Sequence, residues 1–195
     1  KTFRFSMLSL LTVARLSPPD AHIRIVDEQV EEVPLDAPVD LVGITCMTAT
    51  APRAYELAAH FQRRGIPVVL GGFHPTLNTA EALEHADAVV AGPAYGAWER
   101  LLADWEAGQL GRLYHGNPDG PYPVHLPRHL LASTSAYLTV NATFATLGCA
   151  RGCRFCSISA FHHAQRRQRP VAEVVEEIAT FREGFFIFVD DDLTQ

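Results

Sequence analysis

Nothing in the 195 residues approaches a run of roughly 20 apolar residues, so no membrane-spanning helix is expected. Excess positive charge is lacking too: 16 Lys and Arg stand against 22 Asp and Glu, a formal net charge of −6. That balance gives no electrostatic footprint for nucleic acid or an anionic membrane. The one basic cluster, at residues 162–169, is short and reads as a solvated approach to a helix. Cysteine is scarce. Of the four, three crowd within eight residues, a spacing poor for disulfides and suited to metal. Such thiolates need a reducing compartment, so a cytoplasmic location is expected. On the same ground the signal-peptide-like layout of residues 1–14 and the glycosylation pattern Asn141-Ala142-Thr143 are set aside. Methionine is missing from the first position, where Lys1 stands. Repeats and low-complexity stretches are also missing.

What is present is ordinary globular composition, 48% hydrophobic and 19% charged. From residue 22 to 115 strand and helix patterns alternate. Residues 22–27 (HIRIVD) alternate apolar and polar as a strand does. Residues 40–47 (DLVGITCM), 67–71 (PVVLG) and 87–91 (DAVVA) are short apolar runs, as in buried parallel strands, and 112–115 suits an edge strand. Helices are expected over 52–64, with Ala54, Leu57, Ala58 and Phe61 on one face and Gly65 as terminator, over 78–85, and over 94–107. Trp98 and Trp105 share the apolar face of the last of these and read as core. This alternation predicts a parallel sheet covered on both faces, with ligands bound at the carboxyl ends of its strands.

Residues 116–136 hold Pro118, Pro121, Pro123 and Pro127 with Gly116 and Gly120, an interdomain linker. A second unit follows over 137–195. It has a strand over 137–146, the cysteine loop, a helix over 170–182 and a strand over 185–189. The helix places Val171, Val174, Val175, Ile178 and Phe181 on one face and Glu173, Glu176 and Glu177 off it. Strand, loop, helix, strand is how a (β/α) barrel opens.

Cys149, Cys153 and Cys156 follow the spacing C-x3-C-x2-C. Three thiolates hold three irons of a cubane and leave the fourth open to another ligand. Structural zinc is the alternative, with His162 or His163 as fourth ligand. With Phe155 in the aromatic place, between a strand and a helix, the loop resembles the signature of radical S-adenosylmethionine enzymes. The resemblance implies a [4Fe–4S] cluster, S-adenosylmethionine bound at its open iron, and reductive cleavage to a 5′-deoxyadenosyl radical. It also implies that the end of the second barrel strand touches the methionine moiety. Here that place holds Asp190 and Asp191, either of which could accept from the ligand's ammonium. They suit a helix cap equally well, and an Asp-rich Mg²⁺ site is a third reading.

The first domain resembles the cobalamin-binding domain that precedes the radical domain in one subclass, a flavodoxin- or Rossmann-like fold. Residues 43–48 (GITCMT) are similar to its strand-end motif, with Thr45 and Met47 in the Ser and Leu places and Thr48 beside them. Residues 71–76 (GGFHPT) look like its double-glycine turn, Gly71-Gly72 followed by His74. Glycines let backbone approach the corrinoid's nucleotide tail, and hydroxyls bond its polar atoms. Two departures stand out. The cobalt-ligating D-x-H-x-x-G is absent, since Ile25 replaces the glycine after Asp20-Ala21-His22. The Gly92 turn, Gly92-Pro93-Ala94-Tyr95-Gly96, lacks the acidic residues common there.

The expected organisation is therefore a cobalamin-binding domain over 1–115 without its first strand, the linker, and the opening of a radical barrel over 137–195. The chain is expected to be a fragment, inactive alone. By resemblance, the whole enzyme transfers a methyl group from methylcobalamin to an unactivated carbon of a small-molecule substrate, fed electrons by flavodoxin or ferredoxin. A radical cyclase or rearrangement enzyme, a non-catalytic corrinoid module and a zinc-stabilised interaction protein are the alternatives.

Overall fold

The structure is a computed structural model that describes residues 7–131, 134–181 and 184–194. Residues 1–6, a poor match to a first strand, and Arg182, expected within a helix, lie outside them. The chain forms two compact units, residues 34–121 and residues 1–33 with 122–195. The second unit takes in helix α1 (Leu8–Leu16), although its position in the sequence places it with the first domain. The reason is hydrophobic. Leu11, Ala14 and Ile25 pack with Leu126, Leu131 and Tyr137, so the Pro-rich segment supplies core as well as connection. Residues 22–27 form no strand there. Ile25 and Asp27 are buried, and Tyr137 donates to Asp27 at 2.9 Å.

Residues 34–121 fold as four parallel strands in the order β1 (Val42–Thr45), β2 (Val68–Gly71), β3 (Ala88–Ala91) and β4 (Leu113–His115). Crossovers run through α2 (Ala51–Arg63), the short α3 (Phe73–Leu77) and α4 (Thr79–His85), and α5 (Trp98–Glu106). Strand alternation sets the layers. Ile44, Leu70 and Val89 share a cluster with Ala51 and Ala54 of α2 and Ala82 of α4. Gly43 points to the opposite face, where a β-carbon would stand 3.4 Å from the Trp98 ring of α5. Trp98, Leu101 and Leu102 of the apolar face of α5 are buried, whereas Trp105, expected in the core with them, is half-buried. Gly65, at φ +76°, ends α2.

In the other unit, β5 (Ala142–Thr143) pairs in parallel with β8 (Ile187–Phe188), joined through α7 (Val171–Ala179). β6 (Thr146–Gly148) pairs antiparallel with β7 (Arg166–Gln168), and these two bracket the cysteine loop and α6 (Ser157–Phe161). The expected faces of α7 are corrected. Glu177 is buried with Val174, while Val171 and Val175 are exposed. Arg169, expected in a solvated stretch, is buried against that glutamate. Opposite charges inside the unit compensate each other, so a helix position that reads as polar turns inward.

Candidate functional site

Three adjacent strands of the parallel sheet deliver Thr45, Gly71 and Gly92 to their carboxyl ends. Gly72, with φ +94° and ψ −163°, sits where almost only glycine can. A β-carbon there would lie 2.5 Å from Thr45 Oγ1 and 3.2 Å from the Cys46 carbonyl oxygen, so the two strand ends meet through its bare backbone. Thr76 ties the turns together. Its hydroxyl donates to the Gly72 carbonyl at 2.7 Å and accepts from the Gly92 N–H at 2.9 Å. Gly92, at φ +83°, has nothing within 4 Å of where a β-carbon would be, so its backbone faces open space. Met47 and Thr48 are exposed in the short loop between β1 and α2.

Gly72→Ala is expected to cost about 1–3 kcal/mol from backbone strain, with displacement of Thr45 in addition. Gly65→Ala, also at positive φ but in open space, carries backbone strain alone. Urea unfolding of the two variants checks the contrast; equal losses would mean the close approach to Thr45 carries no energy.

His74 lies in α3 and is 4% exposed, so it is no solvated turn residue. Its Nε2 is 2.9 Å from the Tyr55 hydroxyl, and its Nδ1 is 3.3 Å from Thr48 Oγ1 and 3.2 Å from Asn78 Nδ2. Tyr55 donates onward to Glu81 at 3.1 Å and stacks on His85 at 3.9 Å. Burial and that carboxylate push the Tyr55 hydroxyl up to about 12, so it remains a donor. Burial, then Glu81, likewise pushes the Cys46 thiol up to about 11, leaving it an inert core group. Thr76, Tyr55 and Asn78 were not singled out from sequence. A hydroxyl one turn after a double glycine was the available signal for Thr76.

The second expected site is the cysteine loop. Gly148, at φ +75°, leads into it. A β-carbon there would overlap the Gln165 carbonyl and the His162 side chain, so the loop closes tightly at its base. Cys149, Cys153 and Cys156 form no disulfide and are of intermediate exposure, and Phe155 is 93% exposed. The Ser159 and Ile158 backbone N–H groups lower the Cys156 thiol below its ordinary value. Among the described residues no three His, Cys, Asp or Glu side chains converge on a metal-holding position. The donors thus share one loop without being gathered, for cluster or for zinc. Protonated thiols do not attract one another, and metal binding is coupled to the ordering of its ligands. The donor set itself, three thiols outside any disulfide with one already acidified, fits an iron–sulfur cluster chemically.

The acidic triplet is committed to this loop. Asp190 accepts from Ala145 N at 3.0 Å and from Thr146 Oγ1 at 2.7 Å. Asp191 accepts from Gly148 N at 2.9 Å, and Asp192 pairs with Arg151 at 2.9 Å. Arg151, partly opposed by burial, holds the Asp192 carboxyl below its ordinary value. The strand end therefore buttresses the peptide that carries Cys149. A separate concavity, lined by Gln62, Gly65, Ile66, Pro67 and Asp87, lies at the amino ends of β2 and β3. Its carboxylate, Asp87, already accepts from Gln62 and from Val68 N, at 3.1 and 2.8 Å.

Residues 13–102 match the model of the B12 binding domain. The chain is 34% identical over 187 residues to bacteriochlorophyllide d C-8(2)-methyltransferase of Chlorobaculum tepidum, covering 92% of this chain and 42% of that protein. It is 28% identical over 200 residues to the C-12(1)-methyltransferase of the same organism, covering 96% and 44%. The chain therefore spans less than half the length of these curated relatives. Against solved structures, it aligns with the N-terminal domain of a hypothetical protein of Thermotoga maritima at 21% identity and a TM-score of 0.39, covering 60% of this chain and 93% of that one.

Proposed function

We propose, from the match of residues 13–102 to the model of the B12 binding domain, that the chain is the front part of a cobalamin-dependent radical S-adenosylmethionine methyltransferase. One observation carries the reading. Within the matched segment, Thr45, Gly72 and Gly92 converge at the carboxyl ends of β1, β2 and β3, linked by Thr76. Glycine backbone and small hydroxyls at strand ends are what a large flat ligand with a polar tail requires.

Thr45, Met47, Thr48, Gly71, Gly72 and Gly92 would hold the corrinoid. Cys149, Cys153 and Cys156 would hold a [4Fe–4S] cluster, with Phe155 and the Asp190–Asp191 pair toward S-adenosylmethionine. When bound, these groups supply a methyl carrier and reductive radical initiation; the protein orients them and excludes water. Asp190 and Asp191 fix the backbone of β6, and so set the position of Cys149. Both relatives named above are methyltransferases of bacteriochlorophyllide d, which favours methyl transfer to carbon over cyclisation or rearrangement. A small-molecule substrate, an electron donor such as flavodoxin or ferredoxin, and a reducing cytoplasmic setting complete the proposal. Among the described residues no helix is long and apolar enough to cross a membrane.

β5, α7 and β8 form one parallel strand–helix–strand step, which fits the opening of a (β/α) barrel. Exposed Val171, Val175, Phe185 and Phe188 on that unit fit further strand–helix steps packing there.

Anaerobic reconstitution with iron, sulfide and hydroxocobalamin, read by metal analysis and visible spectrum, tests the function. About four irons per chain together with corrinoid is the expected result. Corrinoid without iron would reduce the protein to a carrier module, and zinc with neither would replace the proposal by a metal-stapled interaction protein.

A further inference from the structure

We infer that His74 is a positioning residue for the corrinoid site: it holds the Thr48 hydroxyl at the mouth of the sheet and does not itself meet cobalt. The inference rests on the corrinoid reading above. It starts from burial. His74 is 4% exposed, and both ring nitrogens are engaged. With Asn78 Nδ2 donating to Nδ1, the proton sits on Nε2 and is donated to the Tyr55 hydroxyl, which donates in turn to Glu81. Every bond then runs in one direction, from Asn78 to the half-exposed Glu81 carboxylate. The Nδ1 lone pair that a metal would require is turned to Asn78 and Thr48.

The elements joined explain what the ring does. Thr48 belongs to the exposed loop between β1 and α2, Tyr55 to α2, and Asn78 and Glu81 to the start of α4. The His74 backbone N–H also donates to the Cys46 carbonyl at 3.2 Å, closing the end of β1. A single buried ring thus fixes a loop that Thr50, bonded to Met47, also helps to close. Thr48 is exposed on one side and pinned to Nδ1 on the other, so its hydroxyl is presented in a set orientation. A fixed hydroxyl binds more tightly than a free one because its rotamer freedom is already lost before binding.

Two amide substitutions separate this from a merely structural role. His74→Asn places a polar atom where Nδ1 was and keeps the hold on Thr48. His74→Gln places one where Nε2 was, keeping Tyr55 and releasing Thr48. Titration of the full chain with hydroxocobalamin is expected to show near wild-type affinity for His74→Asn and a loss of roughly tenfold for His74→Gln, about the worth of one neutral hydrogen bond. Thr48→Val, at an exposed position that leaves the core intact, should lose the same factor. Adding it to His74→Gln should cost nothing more. Equal affinity for the two amides, additive losses, or an unchanged Thr48→Val would overturn the inference. So would a cob(II)alamin electron-paramagnetic-resonance spectrum whose nitrogen splitting disappears only in the His74 variants, because that would make the ring a cobalt ligand. Wild-type chain that fails to bind hydroxocobalamin would overturn the corrinoid reading and this inference together, whereas wild-type binding with indifferent variants overturns the inference alone.

Discussion

Glu177→Gln is expected to destabilise the chain by about 3–5 kcal/mol, the usual loss when one partner of a buried ion pair is removed. The carboxylate is 1% exposed and receives Arg128 at 2.7 Å, Arg169 at 2.8 Å and the Thr143 hydroxyl at 2.9 Å. Arg169 is buried as well, at 6% exposed. Its guanidinium stands 4.7 Å from the Tyr122 ring centre and 5.1 Å from that of Phe144, while its Nε and Nη2 have no hydrogen-bond partner. Glutamine keeps the shape and removes the charge, leaving two cations with no counterion and an amide N–H₂ facing a guanidinium. Glu176→Gln is the control. Its side chain is exposed and pairs with the exposed His125, so a change within about 0.5 kcal/mol is expected. Urea unfolding measures both, and a Glu177→Gln loss below about 1 kcal/mol would show that the triad is not held together by charge.

The same group sets an acid limb. Burial alone would raise the Glu177 carboxyl, but hydrogen bonds and charge from Arg128 and Arg169 outweigh it and hold the folded value below the ordinary 4.5. A lowered folded value means its contribution is fully present above the unfolded value. It is lost as pH falls through the folded one. The wild-type minus Glu177→Gln stability difference should therefore be flat at neutral pH and shrink only on the acid side of the unfolded value.

The parallel sheet was legible because its strands are short, nearly unbroken apolar runs between helices with one apolar face. Valines 68, 69, 89 and 90 have few alternatives to burial. Residues 22–27 show the limit of that signal. Alternation announces a half-buried segment, and Ile25 and Asp27 are indeed buried, yet a strand also needs a neighbour to pair with, which local sequence does not supply. The helix over Val171–Ala179 was legible as a helix but misread in orientation. Nothing within it reveals that Arg128, 49 residues away, will meet Glu177. His74 follows the same logic: a histidine after a glycine turn carries no local sign of burial, and Tyr55, Thr48 and Asn78 reach it from 19 and 26 residues before and 4 after. Order along the chain placed the three loop cysteines together, but their sulfurs are not gathered. Convergence of three ligands depends on what they bind as much as on the peptide that carries them.

Single replacement of Cys149, Cys153 or Cys156 by Ala is expected to abolish iron retention after anaerobic reconstitution, while Cys46→Ala retains it. The difference follows from environment. Cys46 sits in the core among Ala51, Leu70 and Val89 with its thiol pushed up to about 11, so it neither ionises nor reaches solvent. The loop cysteines are partly exposed and in no disulfide, and Cys156 is acidified by backbone N–H groups. A cubane held by three thiolates has no spare protein ligand, so two remaining sulfurs are too few to retain it. A four-ligand zinc site completed by His162 or His163 behaves differently: loss of one ligand weakens zinc, and replacing the histidine does so too. Burial, which outweighs the pull of Asp191, lowers the His162 imidazole below its ordinary value, a shift toward the ligand form, so the comparison is fair. Iron lost in all three loop variants and kept in His162→Ala and Cys46→Ala is the expected pattern. Hydroxocobalamin binding should stay unchanged throughout, because every one of its proposed contacts lies within residues 34–121. Metal loss in His162→Ala, or iron that survives any loop cysteine replacement, would replace the three-thiolate cluster by a different metal site.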